Sequence, residues 1–198
     1  MLRVALTGGI ATGKSYVLER FSHHGMPCLD ADELAHGVMA AGTEATAAIA
    51  ARFGDGALAA DGSVNRAKLA PIVFADAAAR KDLEAIVHPA VYRAIEAGLR
   101  AFELTGGHRF AVVDIPLLYE TGAEKSFDRV IVAICTPELQ LARLRARGLS
   151  DGEARQRLAA QWPVAEKAAR ADFIIRTDGT FAETDAQIDR VVANLKSI

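Results

Sequence analysis

The residue types with the clearest chemistry are a group of glycines followed by a lysine and a serine. Residues 8–15 read Gly-Gly-Ile-Ala-Thr-Gly-Lys-Ser and match the spacing Gly-x-x-x-x-Gly-Lys-Ser. In such a loop, successive backbone N–H groups surround phosphate oxygens, and the next helix offers its positive N-terminus. Lys14 is expected to reach the β- and γ-phosphates and Ser15 to hold Mg²⁺. The alternative is a glycine-rich turn that only joins a strand to a helix.

A carboxylate, Asp114, follows the apolar run Phe110–Val113. Strands of a parallel sheet end on the edge that carries such a phosphate loop, so Asp114 is expected to lie near the nucleotide. It could then bind Mg²⁺ together with Ser15. The alternative is an aspartate that caps the turn before Pro116.

Two more carboxylates follow the weaker apolar run Met26–Leu29, in the sequence Asp30-Ala31-Asp32. Transfer of a phosphoryl group to a hydroxyl needs one carboxylate that accepts the proton and orients the oxygen. Asp32 is predicted to be this base. Capping of the helix that begins here is the open alternative.

Five arginines lie on two helical segments between residues 140 and 157: Arg143, Arg145, Arg147, Arg155 and Arg157. The turn Gly148-Leu149-Ser150 separates the segments, a pattern that predicts a helical lid. Arginines brought over the phosphates would stabilise the transferring group, with Arg143 the first candidate and Arg147 the second. A solvated helix face is the alternative.

The pair His88-Pro89 is predicted to end one helix and start the next, because proline is tolerated at the first helical position. His88 then either lines an acceptor pocket or is a half-buried histidine bonded to backbone.

These groups need a scaffold, and apolar periodicity predicts one. Short continuous apolar runs are typical of strands buried on both faces of a parallel sheet. They are Leu2–Leu6, Met26–Leu29, Phe110–Val113, Arg129–Ile134 and Phe173–Ile175. Helical patterns lie between them, at Lys14–His23, Pro137–Arg147, Asp151–Gln161 and Phe181–Leu195. Alternation of the two predicts a doubly wound α/β fold.

Residues 31–105 interrupt this alternation, because they carry almost no strand signal and are rich in alanine. Helical spacing occurs in Thr46–Phe53, Arg66–Phe74 and Ala77–Leu104. These residues are therefore predicted to form a helical insertion.

Composition narrows the class of protein further. The 198 residues carry a formal charge of -2, which argues against sequence-independent nucleic-acid binding. The two cysteines, Cys28 and Cys135, suggest neither disulfides nor a zinc cluster. No apolar run approaches the roughly 18 residues of a membrane span, and residues 2–6 run directly into the loop rather than into a signal-peptide cleavage site. We expect a cytoplasmic protein without a membrane or nucleic-acid partner.

Four motifs together resemble the dephospho-coenzyme A (dephospho-CoA) kinase family, in the same order and with matching separations. They are Thr7–Ser15, Asp30-Ala31-Asp32, His88-Pro89, and residues 114–120, which read Asp-Ile-Pro-Leu-Leu-Tyr-Glu. The phosphate loop alone is shared by many nucleotide enzymes, whereas its combination with the other motifs is much more specific. The resemblance spans nearly the whole chain.

The resemblance implies transfer of the γ-phosphoryl group of ATP to the ribose 3′-hydroxyl of dephospho-CoA, the last step of coenzyme A biosynthesis. It implies a three-layer α/β fold of the P-loop NTPase type with a nucleotide core (1–30 and 106–198), a lid (about 138–160) and a helical CoA-binding insertion (31–105). ATP, Mg²⁺ and a small-molecule acceptor are the expected ligands, and the chain is expected to be a monomer or weak homo-oligomer.

The motifs and the resemblance together assign roles to individual residues. Catalysis falls to Lys14, Asp32 and Arg143, and the metal to Ser15 and Asp114. The residues expected to bind ATP are Gly8, Gly9, Ile10, Ala11, Thr12, Gly13, Lys14, Ser15, Tyr16 and Arg147. The residues expected to bind the acceptor are Asp32, His88, Leu117, Leu118, Tyr119 and Glu120.

The chain departs from the family pattern at a few positions. Ala11-Thr12 stands where the family often has Gly-Ser, Tyr16 where it often has Thr, and Asn65 where Asp is usual. Tyr16 removes a hydroxyl that often neighbours the α-phosphate, so a modest change in ATP affinity is expected.

Other functions fit the sequence less well. A kinase for a nucleoside monophosphate or a sugar acid would share the loop and lid but lack the Asp-Ala-Asp and Pro-Leu-Leu-Tyr-Glu pairing. A GTP switch would need an Asn-Lys-x-Asp motif, and a dinucleotide oxidoreductase would need Gly-x-Gly-x-x-Gly after the first strand; both motifs are absent.

Overall fold

The computed structural model describes residues 1–198 and divides the chain into two compact units. The first, here called the sheet unit, comprises Met1–Leu29 and Ala101–Ile198. The second, here called the helical unit, comprises Asp30–Arg100. None of the helices combines the length and apolar character needed to cross a bilayer.

The strands are β1 (Leu2–Gly8), β2 (Cys28–Asp30), β3 (Phe110–Asp114), β4 (Arg129–Ile134) and β5 (Phe173–Arg176). They form one five-stranded sheet in the order β2-β3-β1-β4-β5, with β1 parallel to both β3 and β4, and β4 parallel to β5. The carboxyl ends of β1, β3, β4 and β5 therefore meet at one edge, where Leu6 of β1 is in register with Asp114 of β3. The α/β fold predicted from the sequence is confirmed.

The helices are α1 (Lys14–His23), α2 (Ala31–Val38), α3 (Glu44–Phe53), α4 (Arg66–Ala75), α5 (Ala77–Thr105), α6 (Pro137–Ala146), α7 (Asp151–Ala159), α8 (Val164–Ala168) and α9 (Phe181–Ser197). Short 3-10 helices lie at Asp55–Ala57 and Ala123–Ser126. The pattern did not predict α8, because five residues are too few to show a helical period.

The core of the sheet unit explains why its strands read as continuous apolar runs. Val4 and Leu6 of β1 and Val112 of β3 are fully buried. Helices α1 and α9 cover them with Val17, Phe21, Ile188 and Leu195, among others. Ala5 of β1 and Val113 of β3, which point to the opposite face of the sheet, are also fully buried. Neither face of these strands reaches water, so neither face needs polar residues.

The helical unit has its own smaller core. Ile49, Val64 and Leu69 are buried there, and partly buried side chains from α5 pack against them. Its helices begin at polar caps that each satisfy a backbone N–H: Asp30 for α2, Thr43 for α3 and Asn65 for α4.

One sequence prediction is wrong in this unit. His88-Pro89 does not separate two helices, since α5 runs unbroken through both residues. A proline inside a helix leaves the carbonyl four residues earlier, here that of Ala85, without its usual donor. The helix continues because Ala90, Val91, Ile95 and Leu99 bury one continuous face beyond the proline.

Candidate active site

The glycine-rich loop joins the end of β1 to the start of α1 at the carboxyl edge of the sheet. Two of its glycines are needed for this geometry. A Cβ on Gly8 would lie 2.6 Å from the carbonyl oxygen of Ala133, and Gly13 has φ +86° at the N-cap of α1. No side chain caps this helix end, so its first N–H groups remain available to an anion.

The loop carbonyls are turned towards protein donors. Each carbonyl oxygen from Gly8 to Gly13 accepts a hydrogen bond. The donors are Lys167 Nζ to Gly8 (3.3 Å), Thr12 Oγ1 to Gly9 (2.8 Å), Gln140 Nε2 to Ile10 (2.7 Å), Arg143 Nη1 to Ala11 (3.0 Å), Thr177 Oγ1 to Thr12 (2.5 Å) and the N–H of Val17 to Gly13 (3.3 Å). With its negative ends paired to the protein, the loop is suited to anions.

Lys14 and Asp114 form an ion pair at the same edge, with 3.1 Å between Nζ and Oδ2. The lysine is half-buried and Asp114 is only 3% exposed, whereas Ser15 is exposed. A hydroxyl and a carboxylate are the hard oxygen ligands that Mg²⁺ uses alongside phosphate oxygens. The residues present therefore fit a magnesium ion that a nucleotide helps to bind.

Ala11 has φ 60°, a backbone conformation that is higher in free energy for a residue with a side chain than for glycine. Its methyl group is nevertheless buried with Leu144 and Ala154, and Ile10 packs against the same cluster. The loop is thus joined by apolar contacts to α6 and α7, the segment predicted to be a lid.

Arg143 contacts the backbone of the loop and is half-buried. Besides Ala11, its guanidinium donates to the carbonyl oxygen of Thr177 at 2.7 Å and to Thr177 Oγ1 at 3.2 Å. The sequence did not predict this supporting role. Contact of Arg143 with a transferring phosphoryl group stays a prediction.

The other four arginines of this region are exposed. Arg145 is paired with Asp151, at 2.7 Å between Nη2 and Oδ2, and this pair joins α6 to α7. Arg147 follows the last residue of α6, and its role in ATP binding stays a prediction.

The segment after β3 is mostly turned inward. Leu117 is 40% exposed, whereas the side chain of Leu118 is fully buried. The ring of Tyr119 stacks on Trp162 with 6.3 Å between centroids, and burial raises the pKa of its hydroxyl. Glu120 Oε1 accepts from the N–H of Trp162 at 3.0 Å. Acceptor contacts by these residues remain untested predictions.

Lys167 of α8 is the residue that sequence reasoning missed most clearly. It is fully buried, and its ammonium group lies 2.7 Å from Glu120 Oε1, 3.1 Å from the carbonyl oxygen of Pro116 and 3.3 Å from that of Gly8. The available signal was a lysine inside a short alanine-rich segment, which by itself is typical of an exposed helix.

Tyr16 points away from the loop backbone and towards α9. Its hydroxyl donates to Asp185 Oδ1 at 2.7 Å, which raises the pKa of Tyr16, and its ring packs on exposed Phe181.

Burial raises the pKa of both cysteine thiols, that of Cys28 to about 11. Both are therefore protonated thiols at neutral pH.

In the helical unit, the structure identifies which aspartate caps α2. Asp30 Oδ1 accepts from the N–H groups of Asp32 and Glu33, at 2.7 and 3.2 Å. Asp32 lies in the first turn with its side chain exposed. The alternative that Asp32 is the helix cap is thus wrong. The carboxylate of Asp32 is available for other chemistry.

A cavity of about 300 Å³ lies within the helical unit, and half-buried His88 lines it. Contact of His88 with an acceptor stays a prediction. The wall is mostly apolar, with Arg66 and Glu84 as its charged members; the lining residues are Ala35, Met39, Arg66, Leu69, Ala70, Val73, Phe74, Leu83, Glu84, Val87 and His88. The guanidinium of Arg66 also contacts the ring of His36.

A parallel sheet whose first strand leads through this loop into a helix defines the chain as an α/β protein of the P-loop NTPase class. Comparison with known proteins narrows the class. The sequence model of dephospho-CoA kinases matches residues 2–183. The dephospho-CoA kinase of Geobacillus kaustophilus is 45% identical over 188 residues, which cover 94% of this chain and 93% of that one.

Solved structures agree with the sequence comparison. A crystal structure of TT1252 from Thermus thermophilus superposes with a TM-score of 0.84 and 31% identity, over 98% of this chain and 96% of that one. Dephospho-CoA kinase from Campylobacter jejuni gives a TM-score of 0.75 and 29% identity, over 98% and 97%. The chain belongs to the dephospho-CoA kinase family, and the resemblance inferred from its motifs is confirmed.

Proposed function

We propose that this protein transfers the γ-phosphoryl group of ATP to the ribose 3′-hydroxyl of dephospho-CoA, giving CoA and ADP. The observation that carries the proposal is the phosphate loop, whose six consecutive carbonyls are bonded to protein donors beside the Lys14–Asp114 pair. Membership of the dephospho-CoA kinase family supports the choice of acceptor.

Each proposed role follows from the charge that the reaction develops. Residues 8–16 bind the triphosphate through backbone N–H groups and the start of α1. Lys14 balances charge on the β- and γ-phosphates, and Ser15 with Asp114 holds Mg²⁺, which supplies further charge neutralisation. The loop backbone is held by donors of the protein itself, which favours a preorganised site for the transferring group.

Asp32 is proposed as the base for the acceptor hydroxyl. Its exposed carboxylate, free of the capping role that Asp30 fills, supports this. The apolar cavity lined by Arg66 and His88 lies in the same helical unit, and its chemistry suits an acceptor that has both a long organic arm and phosphate groups. Arg143 or Arg147 would supply positive charge to the transferring group.

The test is ATP consumption with dephospho-CoA, AMP, shikimate or no acceptor, each in magnesium buffer and again with excess EDTA. We expect a response with dephospho-CoA alone, dependent on magnesium, and a product that a 3′-nucleotidase converts back to dephospho-CoA. Lys14→Ala serves as the control for contaminating kinases. Turnover with AMP or shikimate in place of dephospho-CoA would contradict the proposal.

A further inference from the structure

The ammonium group of Lys167 has three N–H donors, and it meets three acceptors: Gly8 O, Pro116 O and Glu120 Oε1. The side chain is fully buried, so it does not reach a phosphate. Its effect on the reaction must therefore act through the groups that it holds.

The first of these groups is the peptide that begins the phosphate loop. In a trans peptide, the C=O and the following N–H point in opposite directions. By fixing the carbonyl oxygen of Gly8 on one side, Lys167 directs the N–H of Gly9 to the other. Gly8 is also the residue where β1 passes into the loop, so this contact sets how the loop leaves the sheet.

The other two groups belong to the segment after β3. Pro116 and Glu120 follow Asp114 by two and six residues, and Asp114 is the partner of Lys14. The same segment is bound to β1 a second time, since Thr7 Oγ1 donates to the carbonyl oxygen of Pro116 at 3.2 Å. Lys167 thus holds the loop and the Asp114 segment from one buried point.

A buried ion pair contributes little net stability to a fold. Desolvation of a lysine and a carboxylate offsets most of their attraction, and apolar residues of similar size often give an equally stable fold. An ammonium group does, however, fix three oxygens in one geometry, which a methyl group cannot do.

We propose that Lys167 is a positioning residue for phosphoryl transfer, which joins the first carbonyl of the phosphate loop to the segment carrying Asp114 and so aligns the loop N–H groups with the Lys14–Asp114 pair. The proposal rests on the phosphoryl transfer proposed above but not on the identity of the acceptor.

The test compares Lys167→Met/Glu120→Gln with the wild type. The double substitution removes both charges at similar volume, so no unpaired charge is left buried. Leu195→Ala is the matched control, because it creates a cavity in the same sheet unit without touching the loop. Melting temperature, ADP affinity by calorimetry, and kcat and KM for both substrates are measured for each protein, well below all melting temperatures.

We expect kcat of the double variant to fall about ten- to a hundredfold, as a small misalignment of reacting groups does, while the control keeps the wild-type kcat. The single variant Glu120→Gln separates any acceptor contact of Glu120, which would appear as a raised acceptor KM. A double variant that turns over as fast as the control would overturn the proposal.

Two other outcomes are also decisive. If the double variant does not fold, Lys167→Gln, which keeps a donor too short to meet all three oxygens, is compared with the control in the same way. If the wild type does not phosphorylate dephospho-CoA, the proposed function fails. The proposal for Lys167 is then decided by ADP affinity, which must weaken in the double variant and not in Leu195→Ala.

Discussion

The sheet unit and the helical unit present their functional groups in different ways. In the sheet unit, the loop carbonyls are held by side chains from α6, α8 and the turn after β5, and Lys14 is paired with a buried carboxylate. In the helical unit, Asp32 and His36 are exposed, and the cavity is lined mainly by apolar side chains.

Under the proposed function, the difference between the two units matches the difference between the two substrates. A triphosphate presents the same compact charge at every turnover, so donors fixed in advance stabilise it without reorganisation. A longer, largely organic acceptor is bound over more surface by shape and apolar contact, with few polar groups to orient it. Substitutions at the loop of the sheet unit should therefore reduce turnover steeply. In the helical unit, some substitutions should reduce turnover and others should reduce only the free energy of unfolding.

Lys14→Ala should have the largest effect. It removes the charge that we propose lies next to the β- and γ-phosphates, and we expect kcat to fall about a thousandfold or more. The measurement is ATP turnover at saturating substrates, with circular dichroism to show that the variant is folded. Near-normal turnover would contradict the assignment of the loop.

Asp32→Asn tests the helical unit and should have the second-largest effect on turnover. Loss of the proposed base should lower kcat about a hundred- to ten-thousandfold while ATP affinity changes little. The matched control is Asp30→Ala, two residues earlier, which removes the cap of α2 and should lower the free energy of unfolding by about 1 kcal/mol. If both variants lose stability and keep their turnover, Asp32 is not the base.

Arg143→Ala should affect both turnover and stability. It removes the arginine donors of the Ala11 and Thr177 carbonyls, and Ala11 keeps only the weak S–H donor of Cys135. Each buried acceptor left unpaired costs about 1–3 kcal/mol of folding free energy. We expect kcat to fall by at most about a thousandfold.

Arg147→Ala is the comparison for Arg143→Ala, because Arg147 is exposed and its loss should not change the melting temperature. A loss of turnover in Arg147→Ala with unchanged turnover in Arg143→Ala would reverse the two roles in the predicted lid. The measurements are chemical denaturation and single-turnover phosphoryl transfer.

Ala11→Gly should have the smallest effect. Glycine relieves the cost of φ 60°, but the buried methyl group and its contact with Leu144 are lost. Because these terms oppose each other, the free energy of unfolding should change by less than about 1 kcal/mol. Ala11→Val should instead destabilise by about 1–3 kcal/mol, because a β-branched residue is strained at positive φ. Equal stability of all three proteins would show that the loop relaxes around this residue.

Much of the sheet unit could be predicted from local patterns. Its strands are continuous apolar runs, and Gly-x-x-x-x-Gly-Lys-Ser between β1 and α1 identifies the loop. The position of Asp114 near the loop follows from parallel topology, since Asp114 ends β3 and the loop follows β1 at the same edge of the sheet. The ion pair between Asp114 and Lys14 was not predicted. The helical unit was harder to predict from the sequence, because tertiary packing can override a local helix-end signal such as His88-Pro89.

By itself, the sequence determined the phosphate loop, the α/β class and, through four spaced motifs, the family, because these depend on residue types at fixed local spacing. Only the tertiary structure decided that Asp30 caps α2, that α5 continues through Pro89, and that Lys167 and Arg143 hold the loop carbonyls. The cap depends on the local backbone path, which the sequence left open between Asp30 and Asp32, whereas the other features depend on which distant groups folding brings together. Lys167 is 159 residues from Gly8 along the chain, and no local pattern marks that contact.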